Sequence, residues 1–221
     1  MAKVIISYDG TENDDDALAL GKLLAGPDEL ALAYIRHSKE LDPEREKLAQ
    51  HDAEQRLEQG AELLERPDIP RHVVLGASMG GALEELADTE GAAIVVFGSD
   101  YRTQPGHAEP PASAQRLLEI GATAVGVAAS GLRADANGGI ATIAVVQAGG
   151  DDTAARSAEA LAGIVGAQVI PLEGAGADLI VVGSQAGAPA GRVALSGAAR
   201  TALDASRGSV LVVPSGKPVS L

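Results

Sequence analysis

The chain has 221 residues, a length that suits one large domain or two small ones, each able to bury a core. Its 17 Lys and Arg residues against 31 Asp and Glu residues give a formal net charge of -14, so no broad cationic surface and no nucleic-acid partner are expected. The absence of cysteine excludes disulfides, thiolate zinc sites, iron–sulfur clusters and a cysteine nucleophile.

The first half of the chain alternates short apolar runs with helical patterns. The apolar runs predict strands at residues 3–8, 30–35, 72–75, 92–97 and 124–128. Between them, the spacing of apolar residues predicts helices that carry residues 17–24, 42–64, 81–87 and 113–120. Alternating strands and helices with nearly all-apolar strands are typical of a parallel sheet covered on both faces, so the sequence predicts an α/β fold.

The second half repeats the first imperfectly. Residues 141–146 match the first strand at an offset of 138, which places Leu161 on Leu23 and Ser157 on Ala19. Residues 178–184 match the fourth strand at an offset of 85, so 138 minus 85, or 53 residues, are absent from the second copy. A parallel crossover needs about a dozen residues. Residues 168–172, with four residues before the next strand, are therefore expected to be irregular or paired at an edge.

The two halves also differ in charge, and a turn-rich stretch separates them. Residues 1–128 carry 11 basic and 24 acidic side chains, whereas residues 129–221 carry 6 and 7. Residues 130–139 are rich in turn-forming residues and lack periodicity, as is typical of a linker. We therefore predict two domains, 1–130 and 138–221.

Neither a membrane span nor a secretion signal is evident. No apolar run approaches the roughly 18 residues that a span needs, and the N-terminal run ends at an acid within ten residues. We therefore expect a cytoplasmic protein without a membrane partner.

Short motifs follow the predicted strands. Asp9-Gly10-Thr11 follows the first strand, and Gly98-Ser99 follows the fourth before a loop and a helix that begins at Ser113. In this arrangement the chain resembles the universal stress protein family over nearly its whole length, as a tandem bacterial member with a shortened second domain. The resemblance implies doubly wound parallel sheets of strand order 3-2-1-4-5. It also implies an intrachain pseudo-dimer in which residues 124–128 lie beside residues 210–213, and it allows a further homodimer.

The resemblance further implies an adenine-nucleotide site, because many members of the family bind ATP. The ligand expected for this chain is ATP with magnesium. Open α/β sheets bind ligands where the strand order reverses, and helix N-termini accept anions. Carried over residue by residue, the site comprises Asp9, Gly10 and Thr11 at the nucleoside, Ile35 at the base, Gly98 and Ser99 at the phosphate loop, Arg102 as an added cation, and Ser113 and Ala114 at the helix start. No catalytic or metal-ligating residue is predicted, so any ATP hydrolysis is expected to be slow.

Two departures from the family pattern leave two functions open. Tyr101 stands where the phosphate loop has its second glycine, and Ala112-Ser113 replaces the closing Gly-Ser. One hypothesis is a stress-response regulator that binds an adenine nucleotide in the first domain. The alternative is a nucleotide-free member that contacts an unknown protein and in which Tyr101 fills the phosphate site.

Two other patterns have a chemical and a plain interpretation. Gly76-Ala77-Ser78-Met79-Gly80 has the G-x-S-x-G form of a serine esterase, with His107 later in the chain, but Ser78 is also suited to cap the following helix. The acids at residues 14–16 are capable of binding a hard cation, although acids also favour a helix N-terminus. The plain interpretation is favoured in both cases.

Overall fold

The computed structural model describes residues 3–26, 29–135, 139–147, 149, 151–172, 176–205 and 207–221. Its strands are β1 (Val4–Ser7), β2 (Leu30–Arg36), β3 (Arg71–Leu75), β4 (Ile94–Phe97), β5 (Ala124–Val127), β6 (Thr142–Val146), β7 (Gln168–Pro171), β8 (Gly176–Gly183) and β9 (Arg207–Val213). Its helices are α1 (Glu12–Leu24), α2 (Pro43–Leu63), α3 (Met79–Glu90), α4 (Ala112–Ile120), α5 (Leu132–Asp135), α6 (Thr153–Val165) and α7 (Gly197–Ala205). The strands and helices predicted for the first half are present. None of the described helices is long and apolar enough to cross a membrane.

All nine described strands join one sheet in the order β3-β2-β1-β4-β5-β9-β8-β6-β7. Neighbours are parallel except β5 and β9, which are antiparallel and pair Val125 with Val212 and Val127 with Val210. The order of the first five strands and the pairing of the last strands of the two halves are therefore as the resemblance implied. The strand β7 pairs with β6 at the outer edge, which confirms the edge alternative, and residues 173–175 after it lie outside the described residues.

The hydrogen bonds at the ends of β4 and β8 repeat at a constant offset of 85 residues. Three bonds of the first half each have a counterpart in the second half. The bond from Ser99 to Ala128 matches that from Ser184 to Val213. The bond from Asp100 to Glu109 matches that from Gln185 to Ala194, and the bond from Gly106 to Ser130 matches that from Gly191 to Ser215. The two halves therefore share their loop geometry as well as their strands, which confirms the offset predicted for this part of the chain.

The predicted offset of 138 at the start of the second copy is wrong by one residue in the strand. Val4 pairs with Ile94 and Ile143 pairs with Leu179, and Ile94 and Leu179 are themselves 85 residues apart. Ile143 is thus the equivalent of Val4, at an offset of 139. The predicted alignment placed Ile143 on Ile5, whose side chain packs on the opposite face, because a one-residue slip in a strand exchanges its two faces.

In the helix, the offset is wrong by one residue in the other direction. The Asp16 carboxylate accepts from Gly131 N, and Gly216 N, 85 residues later, donates to both Asp151 Oδ2 and Thr153 Oγ1. The buried residues decide between these two, because when Thr153 is matched with Asp16 every buried residue of α6 falls on a buried residue of α1. Asp16 and Thr153 are therefore equivalent, at an offset of 137. This offset matches Leu161 with Leu24 and Ser157 with Leu20, one residue beyond the predicted partners Leu23 and Ala19. Thr153 follows Ile143 by ten residues, whereas Asp16 follows Val4 by twelve, so the second half has two residues fewer between equivalent positions of strand and helix. An ungapped alignment cannot represent that change.

The predicted linker at residues 130–139 is partly wrong, because it contains the single-turn helix α5. The buried carboxylate of Asp16 fixes this turn by accepting from Gly131 N and Arg133 N, both at 2.8 Å. Its stabilising partner lies more than a hundred residues away, so local composition gave no sign of it. Residues 136–138 lie outside the described residues, and the division into domains 1–130 and 138–221 stays a prediction.

The core packs on both faces of the sheet. Helices α1, α2 and α6 cover one face, where a single cluster of buried side chains runs from β1 and β2 in the first half to β6, β8 and β9 in the second. On the opposite face, α3 and α4 cover the first half, and α7 contributes to a separate cluster over β8 and β9. The shared cluster joins the two halves into one body.

Candidate functional site

The candidate site lies where the strand order reverses. From β1 the chain builds outward to β2 and β3, then crosses to β4 on the other side of β1. Because β1, β2 and β4 are parallel, their carboxyl ends meet at the same edge of the sheet. This edge therefore brings together the turn at Asp9–Thr11, the end of β2 at Ile35 and the junction at Gly98 and Ser99, which is the usual place for ligands in such folds.

The turn after β1 is held by the first turn of α1. Thr11 precedes this helix and has extended backbone, as an N-cap residue does. One carboxylate oxygen of Asp14 accepts from Asp9 N at 3.1 Å, from Thr11 N at 3.1 Å and from the Thr11 hydroxyl at 2.8 Å. Gly10 has a φ of +86°, a conformation that glycine adopts readily, while Asp9 keeps its side chain exposed.

A side chain of α2 also restrains this turn. The Arg56 Nη1 atom donates to the carbonyl oxygen of Asp9 at 2.6 Å, and the guanidinium group lies 6.0 Å from the centroid of the Tyr34 ring on β2. Sequence reasoning missed Arg56, because the contact joins residues 47 positions apart and no local pattern marks it. The Asp9 backbone is thus held at its amide by α1 and at its carbonyl by α2.

The carboxyl of Asp14 has a strongly altered acidity. Burial, followed by the neighbouring Asp9 carboxyl, raises the pKa of Asp14 to about 7, although its hydrogen bonds to Thr11 and the Asp9 backbone act in the other direction. Near neutral pH the pair Asp9 and Asp14 therefore holds less negative charge than two separate carboxylates. An acidic edge of this kind suits neutral hydroxyl donors, such as those of a ribose, better than it suits a polyphosphate.

The start of α1 also fixes the junction after β4. The side-chain amide nitrogen of Asn13 donates to Ser99 O at 2.9 Å. A methyl group on Gly98 would overlap the backbone carbonyl of Asn13. The Ser99 hydroxyl is buried, donates to Ala128 O at 2.6 Å and accepts from Glu109 N at 3.1 Å. Gly98 and Ser99 therefore hold the two loops together, and the Ser99 hydroxyl is already engaged within the chain.

The loop predicted to wrap phosphates uses most of its amides internally. Backbone amides that donate within the chain belong to Asp100, Arg102, Thr103, Gly106, His107 and Glu109. Tyr101 is 73% exposed, and its ring lies 4.8 Å from the guanidinium carbon of Arg102. Tyr101 therefore does not fill the phosphate site, which was the arrangement predicted for a nucleotide-free member.

The remaining predicted residues lie near the start of α4 and the end of β2. Pro111 precedes α4 and supplies no side-chain acceptor, so the first amides of this helix lack a side-chain cap. Ser113 is half-buried in the first turn of α4, whereas the Ala114 side chain is fully buried in the core beneath the helix. The Ile35 side chain is likewise buried, so Ile35 and Ala114 would meet a ligand mainly through their backbones.

Two cavities lie beside the predicted site, on the side of the second half. One of about 490 Å³ lies beyond β5, and one of about 500 Å³ lies between the loop after β4 and α7. The second carries the cationic side chains of Arg102 and Arg200 together with His107, but also the carboxylates of Glu109 and Asp204. Of the predicted site residues, only Arg102 lines either cavity.

The structure favours the plain interpretation of the two other patterns. The Ser78 hydroxyl caps α3 by accepting from Gly81 N at 3.2 Å. Ser78 follows β3 at one edge of the sheet, whereas His107 lines the cavity beside Val210 and Val212 on β9, five strands away, so the two residues do not form a catalytic pair. The acids at residues 14–16 begin α1 and bind backbone amides or Tyr8, and the described residues contain no group of three or more potential metal ligands.

This chain matches known proteins by its structure and not by its sequence. No protein-family model matches the sequence, and no curated protein matches it. A universal stress protein from Archaeoglobus fulgidus aligns with a TM-score of 0.58 over 98% of this chain and 100% of that chain, at 16% identity. Two structures from Pseudomonas aeruginosa align similarly. One is assigned to the universal stress proteins, with a TM-score of 0.60, 15% identity and coverage of 96% and 93%. The other has no known function, with a TM-score of 0.62, 17% identity and coverage of 97% and 93%.

These likenesses extend over both halves of the chain and over nearly the full length of each neighbour. They agree with the resemblance that the motifs after β1 and β4 indicated. At such low identity they speak to architecture. The chain therefore has the fold of the universal stress proteins.

Proposed function

We propose that this protein binds an adenine nucleotide at the carboxyl ends of β1, β2 and β4 and acts as a stress-response regulator of the universal stress protein type. The observation that carries the binding proposal is the convergence of the Asp9–Thr11 turn, the end of β2 and the Gly98–Ser99 junction at one edge of the sheet. Tyr101 does not fill the predicted phosphate site, since its ring is turned to solvent. The regulatory role is proposed from the fold.

The contacts at this edge favour the nucleoside over the phosphates. Asp9 presents an exposed carboxylate to ribose hydroxyls, whereas the loop after β4 has six amides already bonded within the chain. The uncapped amides at the start of α4, beside Ser113, remain for one phosphate group. We therefore propose a site that binds adenosine and AMP nearly as well as ATP with magnesium.

Thermal unfolding of nucleotide-free protein tests this proposal. Adenosine, AMP or ATP with magnesium at a hundred times its dissociation constant would stabilise the folded state by about 2.7 kcal/mol and raise the melting temperature by several degrees. The variant Asp9→Ala is expected to lose this shift, whereas Asp88→Ala, which removes an exposed carboxylate on α3, is expected to keep it. A shift for ATP alone would contradict the proposed preference for the nucleoside.

A nucleotide-free interaction protein is the second candidate, and the exposed pair of Tyr101 and Arg102 favours it. Tyrosine and arginine are among the residue types most enriched at the centres of protein interfaces, and this pair is stacked and exposed on the loop after β4. No shift with adenosine, AMP or ATP would reject nucleotide binding and support this second candidate.

A further inference from the structure

Arg56 occupies a place that neither the motifs nor the fold comparison marks. It lies on α2, outside every element that supplies a predicted site residue, and its side chain is exposed. Among the described residues it forms no ion pair with a carboxylate. Its hydrogen bond goes to the Asp9 carbonyl at 2.6 Å, and its guanidinium carbon lies 6.0 Å from the centroid of the Tyr34 ring.

These contacts place the guanidinium group against the turn that carries Asp9. A Cβ on Gly10 would lie 3.5 Å from Arg56 Nη1 and 3.7 Å from its Cγ, so the Arg56 side chain runs alongside the turn at Gly10. A hydrogen bond from a charged donor at this distance is among the stronger ones. The guanidinium also lies at the outer range of a cation–π contact with Tyr34, whose strand β2 is buried in the sheet.

Two hydrogen bonds restrain the backbone of Asp9. Asp14 holds the amide of Asp9, and Arg56 holds its carbonyl, so the direction of the exposed Asp9 carboxylate depends on both. Without Arg56, the carbonyl of Asp9 and the left-handed residue Gly10 would keep no side-chain restraint from α2. We infer that Arg56 is a positioning residue that holds the Asp9–Gly10 turn in its ligand-binding shape, an inference that rests on the proposed function.

A set of variants on the full chain tests this role. Arg56→Gln is expected to weaken binding of adenosine by about tenfold, as expected for the loss of one charge-assisted hydrogen bond. Arg45→Gln makes the same exchange on an exposed arginine in the first turn of α2 and is expected to leave the affinity unchanged. Adenosine carries no phosphate, so an equal loss for adenosine and AMP indicates positioning, whereas a loss for AMP alone would overturn the inference in favour of simple charge attraction.

Amide hydrogen exchange without any ligand supplies a second readout. Arg56→Gln is expected to accelerate exchange at Asp9 and Thr11, whose amides donate to Asp14, at least several-fold with little change in the unfolding midpoint, and Arg45→Gln is expected to change neither. Unchanged exchange at these amides would overturn the positioning role. If the wild type and Arg56→Gln bind adenosine equally well, that result overturns this inference alone. Wild-type protein that binds neither adenosine nor AMP would overturn the proposed function together with it.

Discussion

Asp14 is the residue whose charge state most directly links the candidate site to pH. Its pKa is raised to about 7 by burial and by the Asp9 carboxyl, from an ordinary value near 3.8. Between about pH 4 and pH 7 the folded state therefore binds more protons at this position than the unfolded state does. The free energy of unfolding is expected to fall as the pH rises through this window and to level off above it.

Denaturant unfolding at half-unit pH steps from 4.5 to 8 would measure this effect. Asp14→Asn keeps an oxygen acceptor for the Asp9 and Thr11 amides but cannot ionise, so its profile is expected to be flatter than that of the wild type. A smaller fall is expected to remain, because burial also raises the pKa of Asp15. A wild-type stability that rises between pH 5 and pH 7, or an Asp14→Asn profile parallel to it, would contradict the assignment.

At the scale of the elements, the contact between α1 and the end of β4 requires a glycine at position 98. The equivalent glycine of the second half, Gly183, is less strictly required. A methyl group on Gly98 would overlap the backbone carbonyl of Asn13, which cannot move without shifting α1. At the equivalent position in the second half, a methyl group on Gly183 would lie 3.2 Å from the Ala154 Cβ, a side-chain contact that small adjustments can relieve. Gly98→Ala is therefore expected to destabilise the protein by about 1–3 kcal/mol and Gly183→Ala by clearly less.

The matched pair is best compared by chemical denaturation, with the ligand assay run alongside. Because Gly98 packs against the first turn of α1, where Asp14 holds the Asp9–Thr11 turn, Gly98→Ala is expected to weaken adenosine binding as well as stability. Equal losses of stability for the two variants would show that the overlap at Gly98 is relieved without shifting α1.

The elements that could be predicted from the sequence are those whose signal is local. Strand runs such as residues 30–35 and the loop motif at Gly98-Ser99 carry their own periodicity or turn chemistry, and the structure contains them. The features that could not be predicted depend on distant partners. Arg56 reaches Asp9 across 47 residues, and the Asp16 carboxylate caps α5 across 115, and neither contact leaves a pattern in the sequence near it.

The candidate site shows the same division between local and distant information. The resemblance placed Asp9, Gly98 and Ser99 at one sheet edge, where the structure has them. It could not foresee that the Ser99 hydroxyl and most amides of the following loop bond within the chain, because those bonds depend on where Ala128 and Ser130 lie after folding. The repeat offset failed for a related reason, since two residues fewer between the strand and the helix alter spacing without altering composition.

At the scale of the whole molecule, the continuous sheet predicts that the two halves unfold together. The strands β5 and β9 pair directly across the junction, and one buried cluster contains side chains from both halves. Leu211 on β9 is fully buried in this cluster, so Leu211→Ala is expected to cost about 2–5 kcal/mol. In a single cooperative unit, that loss lowers the stability of the first half as much as that of the second.

Tyrosine fluorescence can report on the first half separately, because the chain has no tryptophan and its three tyrosines, Tyr8, Tyr34 and Tyr101, all lie there. Leu211→Ala is expected to lower the denaturant midpoint seen by tyrosine emission and the midpoint seen by far-UV circular dichroism by the same amount. Ile164→Ala shortens a side chain that is 49% exposed on α6 and serves as the control with a small effect. A tyrosine midpoint that stays at the wild-type value while the dichroism midpoint falls would mean that the halves fold independently despite the shared sheet.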